Sequence, residues 1–235
     1  MNARKNILIA GSHGALGRAL KTHFEKEDYS VWSLSRSDKS VNEQGFCVDL
    51  LNEESCENFK IQLDEQKLNF HGVIQCAGVL HNEKNMPEKQ LSEMSAEWLQ
   101  HSMNVNVLTH IRLAQALENH IEVKDSFFWA SLSAMVSSIG DNSLGGWYSY
   151  RMSKAALNMF VHNLSIEWKR KNRRTCIVSI HPGTTDSAMS KPFKVRPDKL
   201  YSPELSAQRI YAVLTQLTPK QSGQFLNWDG SSIEW

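Results

Sequence analysis

The sequence predicts an α/β domain built on a doubly wound parallel sheet of about seven strands with helices on both faces, and two observations carry that reading. Short β-branched or aromatic runs alternate with longer amphipathic stretches along all 235 residues, as in a buried parallel sheet covered by helices. A glycine-rich turn follows the first of those runs. No repeat, low-complexity tract or Pro/Gly/Ser linker interrupts the chain, so residues 1–235 are expected to form one domain.

Taken in order, the first strand is Asn6–Ala10, where Ile7-Leu8-Ile9-Ala10 is a continuous apolar run. Helix Ala15–Glu27 follows the glycines, then strands Ser30–Ser35 and Gly45–Val48, helix Glu53–Gln66 and strand Gly72–Cys76. A long helix is expected over Ala96–Asn119. Strand Ser126–Ala130 contains the run Phe127-Phe128-Trp129-Ala130. Helix Tyr148–Lys171 shows Leu157, Val161, Leu164 and Trp168 at helical spacing. Strand Thr175–Ile180, helix Pro203–Leu217 and strand Gln224–Asn227 complete the alternation. Two irregular stretches, residues 80–94 and 182–202, have the length of binding loops or lids.

Composition narrows the function. Twenty-six Lys and Arg balance 25 Asp and Glu, a net charge of +1, without the positive field of a nucleic-acid or membrane-surface protein. The basic run Lys169–Arg174 ends a helix, where cations oppose the dipole. No apolar run approaches the roughly 20 residues of a membrane span, and the N-terminal apolar stretch is too short for a signal peptide. The four cysteines form no C-x-x-C pair and read as reduced thiols of a cytoplasmic protein. Nine histidines show no metal-ligand spacing.

Gly11-Ser12-His13-Gly14-Ala15-Leu16-Gly17 joins the first strand to the first helix. Glycines there permit a tight turn, close approach to a pyrophosphate and close helix–strand packing, while the helix start offers free N–H groups. This is the dinucleotide-binding, or Rossmann, arrangement. The second strand ends in Leu34-Ser35-Arg36, with no carboxylate placed for a ribose 2′-hydroxyl. Arg36 suits a 2′-phosphate, with His13 and Arg18 beside it, which favours NADP (NADPH) over NAD. Tyr150 and Lys154 lie four residues apart on one helix face. A nearby ammonium lowers the pKa of a phenol and fits it for proton exchange with a carbonyl or alcohol.

Gly11-x-x-Gly14-x-x-Gly17, Gln75-Cys76-Ala77-Gly78, Asn106, Ser133, Tyr150-x-x-x-Lys154 and Pro182-Gly183 occur in the order found in the short-chain dehydrogenase/reductases, which the whole chain resembles. Gly145–Asn158, Gly78-Val79-Leu80-His81 and Asp141-Asn142 resemble the C-factor-like and sniffer-like branch. The resemblance implies an oxidoreductase transferring hydride between NADP(H) and a small carbonyl or alcohol. The other reading it implies is a non-catalytic NADP(H)-sensing or signalling protein. Tyr150 would be the general acid, Lys154 would hold the nicotinamide ribose, and Ser133 would donate to the substrate oxygen. Asn106 would position a relay water. Asp49, followed by Leu50, would contact adenine. Cys76, Ala77 and Gly78 would let the cofactor pass, and Pro182, Gly183, Thr184 and Thr185 would flank the nicotinamide. A homodimer or homotetramer, formed through helices Ala96–Asn119 and Tyr148–Lys171, is also implied. The chain departs from the pattern at Ala10, at Ala15, at Gln75-Cys76 and around the serine. Counting back from Tyr150 reaches Ala134, one residue after Ser133, and Ser137 replaces a glycine. Ser131, Ser137 and Ser138 remain alternatives.

Overall fold

A computed structural model describes residues 4–36 and 44–235. Asn6–Ala10 forms strand β1, whose alternation places Ile7 and Ile9 in one apolar layer and Leu8 and Ala10 in the other. Helix α1 (Ala15–Lys26), β2 (Ser30–Ser35), β3 (Gly45–Cys47), α2 (Glu53–Gln66) and β4 (Gly72–Gln75) follow. Then come α3 (Ala96–Met103), α4 (Thr109–Leu117), β5 (Phe127–Leu132), α5 (Tyr148–Lys171) and β6 (Thr175–His181). The chain continues through β7 (Thr184–Thr185), β8 (Leu200–Tyr201), α6 (Pro203–Thr215) and β9 (Phe225–Asn227).

Seven strands pair in parallel in the order β3-β2-β1-β4-β5-β6-β9. The order reverses between β1 and β4. Above that switch point the connections leave in opposite directions and open a crevice at the strands' C-terminal ends. Helices α1 and α6 cover one face, where Leu20, Phe24, Ile210 and Leu214 meet Ile7, Ile9, Ile74 and Ile180. Helices α2, α4 and α5 cover the other, where Phe59, Leu113, Leu157 and Trp168 meet Leu8, Val73, Trp129 and Ile177.

Three differences from the sequence expectation have physical causes. The single helix over Ala96–Asn119 is divided by a π-helical turn at Asn104–Leu108, a widening that often marks a functional position. Strand β5 runs on through Ser131 to Leu132. Ser131 resembles a strand end but is fully buried, because its Oγ accepts from Trp129 Nε1 at 2.9 Å and lies 3.0 Å from His110 Nδ1. The stretch 182–202 is also less irregular than expected. Thr184 pairs with Leu200 and Thr185 with Tyr201, pinching its base.

Gly17 shows how tightly α1 seats on the β1 turn. A Cβ there would lie 2.4 Å from the Gly11 carbonyl oxygen and 3.0 Å from Ser12 Cα. Gly17→Ala is therefore expected to destabilise the fold by about 1–3 kcal/mol, the usual cost of overpacking. Urea denaturation measures this, and an unchanged midpoint would refute the packing argument.

Candidate active site

Every predicted site residue lies at or just beyond the C-terminal ends of the parallel strands, except Asn106, Tyr150 and Lys154, which helical segments bring to the same edge. Gly11 adopts φ +73°, and a Cβ there would sit 2.7 Å from Ala77 N, so the β1 turn lies directly against the end of β4. Gly14 is the exposed N-cap of α1, and a Cβ there would meet only the Gly11 carbonyl oxygen within 4 Å. Gly14 has no side chain to cap α1, and no acidic residue occupies the first turn of the helix. The first-turn amides of Ala15, Leu16 and Gly17 beside an open glycine fit the pyrophosphate of a dinucleotide.

Around this cradle Ser12 is buried with its Oγ 3.4 Å from the Leu34 carbonyl oxygen, a contact that ties the turn to β2. His13 is half-buried, and Arg36 is exposed immediately after β2. Asp49 is exposed after β3 and uses Oδ1 to accept from Leu51 N at 2.9 Å, while Leu50 is buried behind it. Cys76, Ala77 and Gly78 leave β4 toward the same crevice. The Gln75 side chain turns back to accept from Ala77 N at 3.1 Å, which tightens that exit. Burial pushes the Cys76 thiol up to about 12.

Helix α5 brings Tyr150 and Lys154 together, with Lys154 Nζ 6.0 Å from the centre of the tyrosine ring. Lys154 is only 3% exposed and donates to the Leu132 carbonyl oxygen at 2.8 Å. Burial lowers its pKa to about 8, with Cys76 acting in the opposite direction. The phenol departs from expectation. Burial raises the Tyr150 pKa above its ordinary value instead of Lys154 lowering it. The apolar surroundings outweigh an ammonium that is directed at a backbone carbonyl.

The π turn aims Asn106 at the same point. Its Oδ1 accepts from Val79 N at 2.7 Å, and its Nδ2 donates to Val79 O and to Ser153 Oγ, both at 2.9 Å. Gly78 closes this group, since a Cβ there would lie 3.1 Å from Asn106 Oδ1 and 3.3 Å from Lys154 Nζ. Among the serines, Ser131 is held by Trp129 and His110 beneath the sheet edge. Ser133 follows the end of β5, with its Oγ 3.3 Å from that of Ser137. Ser137 donates to Ala134 O at 2.7 Å and accepts from Asn158 Nδ2 at 2.8 Å, and Ser138 Oγ accepts from Asp141 N at 3.1 Å. On the far side, Gly183 has φ +75°, and a Cβ would lie 3.0 Å from the Tyr201 ring and 3.3 Å from that of Trp228. Pro182 precedes it, Thr184 lies in β7, and Thr185 donates to Ser206 at 3.0 Å.

Four side chains escaped the sequence reading. Glu88 is buried, and its carboxylate accepts from both Ser149 N and Ser149 Oγ, at the start of α5. The partners lie 61 positions apart, so no local pattern marks them. His81, Trp147 and Phe193 form an aromatic wall beside Tyr150. Trp147 is 6.3 Å from the Tyr150 ring centre and 5.1 Å from that of Phe193, which is 5.8 Å from His81. His81 Nε2 is also 3.1 Å from the Met189 carbonyl oxygen, linking the two long loops. The aromatic character of His81 and Phe193 within those loops, and of Trp147 just before α5, was the available signal. The basic run at the end of α5 makes ordinary surface contacts, with Lys171 on Glu118 and Arg174 Nη1 on the Lys124 carbonyl at 2.9 Å. No helix among the described residues is long and apolar enough to cross a membrane.

Residues 5–197 match the family described as short chain dehydrogenase. The chain is 28% identical over 192 residues to 1-hydroxy-2-glutathionyl-2-methyl-3-butene dehydrogenase of Rhodococcus, covering 80% of this chain and 78% of that one. It is 30% identical over 134 residues to the C-signal protein of Myxococcus xanthus, covering 57% of this chain and 76% of that one. The fold superimposes on the carbonyl reductase Sniffer of D. melanogaster with a TM-score of 0.85, at 21% identity and over 99% of this chain and 100% of that one.

The buried lysine makes stability depend on pH. With a folded pKa of about 8, below the ordinary 10.5, the unfolded chain binds more protons than the folded one above pH 8. Lys154 is therefore expected to add stability as pH rises from 8 toward 10. Lys154→Met should flatten that rise in urea denaturation, and an unchanged slope would show that the ammonium is solvated.

Proposed function

The chain belongs to the short-chain dehydrogenase family, and on that premise we propose that it is an NADP(H)-dependent reductase of small carbonyl compounds, acting through Tyr150, Lys154, Ser133 and Asn106. The observation that carries this reading is the convergence of buried Lys154 and Asn106 on Gly78, with the buried Tyr150 ring 6.0 Å from Lys154 Nζ, at the strand edge that bears the glycine cradle. Tyr150 carries its proton at neutral pH, as a phenol with an ordinary pKa near 10 does, and burial holds that pKa up. It would be the general acid that protonates a carbonyl oxygen as negative charge develops there, with the Lys154 ammonium on the same helix face to favour the loss of that proton. Ser133 would donate a second hydrogen bond to that oxygen. Lys154, charged below about pH 8, would hold the ribose hydroxyls and return a proton toward Tyr150 after turnover. Asn106 fixes the Val79 backbone and keeps the floor of the site in register. Ala15, Leu16 and Gly17 would hold the pyrophosphate, Arg36 the 2′-phosphate and Asp49 with Leu50 the adenine. Cys76, Ala77, Gly78 and residues 182–185 would flank the nicotinamide, whose chemistry is the supply or removal of hydride at the substrate carbon.

The aromatic wall of His81, Trp147 and Phe193 favours an apolar carbonyl substituent over a charged one. Residues Met152, Met159 and Ile166, about half exposed and seven positions apart on α5, support a homodimer or homotetramer. The C-signal similarity favours a second reading, an NADP(H)-sensing or signalling protein on the same fold.

Tyr150→Phe separates the two readings. Loss of the general acid is expected to lower kcat by about 10²–10⁴-fold, with NADPH binding by fluorescence unchanged. Normal reduction of a carbonyl substrate by this variant would overturn the catalytic reading. For the cofactor, Arg36→Ala is expected to raise the NADPH dissociation constant about 10–100-fold, the range for a lost charge-assisted contact, and to leave NADH nearly unaffected. Equal weakening of both dinucleotides would remove the 2′-phosphate assignment.

A further inference from the structure

We propose that Glu88 is a positioning residue, a cap supplied across the fold that holds the first turn of α5 and so places the Tyr150 hydroxyl; its catalytic consequence rests on the function proposed above. Helix α5 starts in an unusual way. Gly145, Gly146 and the N-cap Trp147 all have positive φ, at 64°, 65° and 53°. Trp147 has no side-chain oxygen, and no side chain of the N-cap closes the turn. The free amides at a helix start need acceptors, and its positive end favours an anion. Glu88 supplies both. One carboxylate oxygen accepts from Ser149 N at 3.2 Å and the other accepts from Ser149 Oγ. The Glu88 backbone carbonyl accepts from Trp147 N. A Cβ at Gly146 would lie 3.2 Å from that same carbonyl oxygen, so a glycine there allows the two segments to approach.

Both ends of this contact are buried, Glu88 at 3% exposure and Ser149 at 0%. Water therefore offers no ready substitute if the carboxylate is removed, and two donors lose their partners. Ser149 directly precedes Tyr150, which couples the contact to the phenol. Lys154 lies a full turn further on and has its own anchor at Leu132 O. Loss of Glu88 should accordingly disturb the tyrosine and spare the lysine. A residue that served stability alone would affect both together.

The test uses the full chain with NADPH and compares Glu88→Ala, Glu88→Gln and Ser149→Ala. Glu88→Ala is expected to lower kcat about 10–100-fold, in line with a misplaced reacting group, while the NADPH dissociation constant changes less than about threefold. Amide hydrogen exchange should quicken at residues 149–152 and stay unchanged in the middle of α5. Glu88→Gln keeps one acceptor but weakens the response to the helix's positive end, and should lower kcat about 3–10-fold. The Ser149→Ala and Glu88→Ala losses should be less than additive. Wild-type kcat and exchange in Glu88→Ala would overturn the proposal, as would parallel loss of NADPH binding and turnover. If Glu88→Ala does not fold, unchanged exchange and kcat in Glu88→Gln overturn it. Faster exchange in Glu88→Ala combined with full turnover by Tyr150→Phe would uphold the cap and refute the catalytic role of Tyr150.

Discussion

A buried ammonium that meets no carboxylate among the described residues is the constraint around which this structure is arranged. Lys154 is 3% exposed and finds one backbone carbonyl, Leu132 O, at 2.8 Å. Such a charge is costly to desolvate, and the depressed pKa of about 8 expresses that cost. The neighbourhood is fitted to it. Gly78 leaves room where a methyl group would press on Nζ, and β5 extends far enough to present the Leu132 carbonyl. Tyr150, on the same helix face, lies in the same dry environment, which keeps its proton in place.

The sheet beneath also buries polar side chains near this edge. Gln75, Ser131 and Ser179 are in register on three adjacent strands, all fully buried and all near the C-terminal ends. Gln75 braces the turn into Ala77, and Ser131 joins Trp129 to His110. Burial lowers the His110 pKa well below its ordinary value, with Lys154 acting in the same direction, so the imidazole stays neutral. Apolar packing below this row supplies the compensating stability. Trp129 meets Trp168 edge to face at 5.7 Å, an arrangement favoured for aromatic pairs.

The elements were legible because their apolar residues are local and periodic. Asn6–Ala10, Glu53–Gln66 and Tyr148–Lys171 have the bounds their sequences indicate. The glycine turn and the Tyr150/Lys154 pair were legible because backbone freedom and helical spacing are written in adjacent residues. What escaped depends on distant partners. The π turn at Asn104–Leu108 serves a contact with Val79, and the cap on Ser149 comes from a loop residue, Glu88. The direction of the phenol's pKa shift depends on the fold for a related reason. Spacing placed the ammonium near the ring, but only the fold reveals that Lys154 points to Leu132 O and that burial governs the hydroxyl.

Strand geometry explains why the serine could not be chosen by counting. Ser131 and Ser133 are two residues apart and would share a face if β5 continued. The strand ends at Leu132, so Ser131 stays under the sheet edge with His110 while Ser133 enters the following turn. There Ser137 brings a hydroxyl that bonds Ala134 O and Asn158 and approaches Ser133 to 3.3 Å. Asn158 belongs to α5, so this hydroxyl chain links the turn after β5 to the helix that carries Tyr150. Ala134 and Ser137 thus fall within one connected group, in which the Ser137 hydroxyl supports the turn that holds Ala134. The group reaches α5 through Ser137, at Asn158.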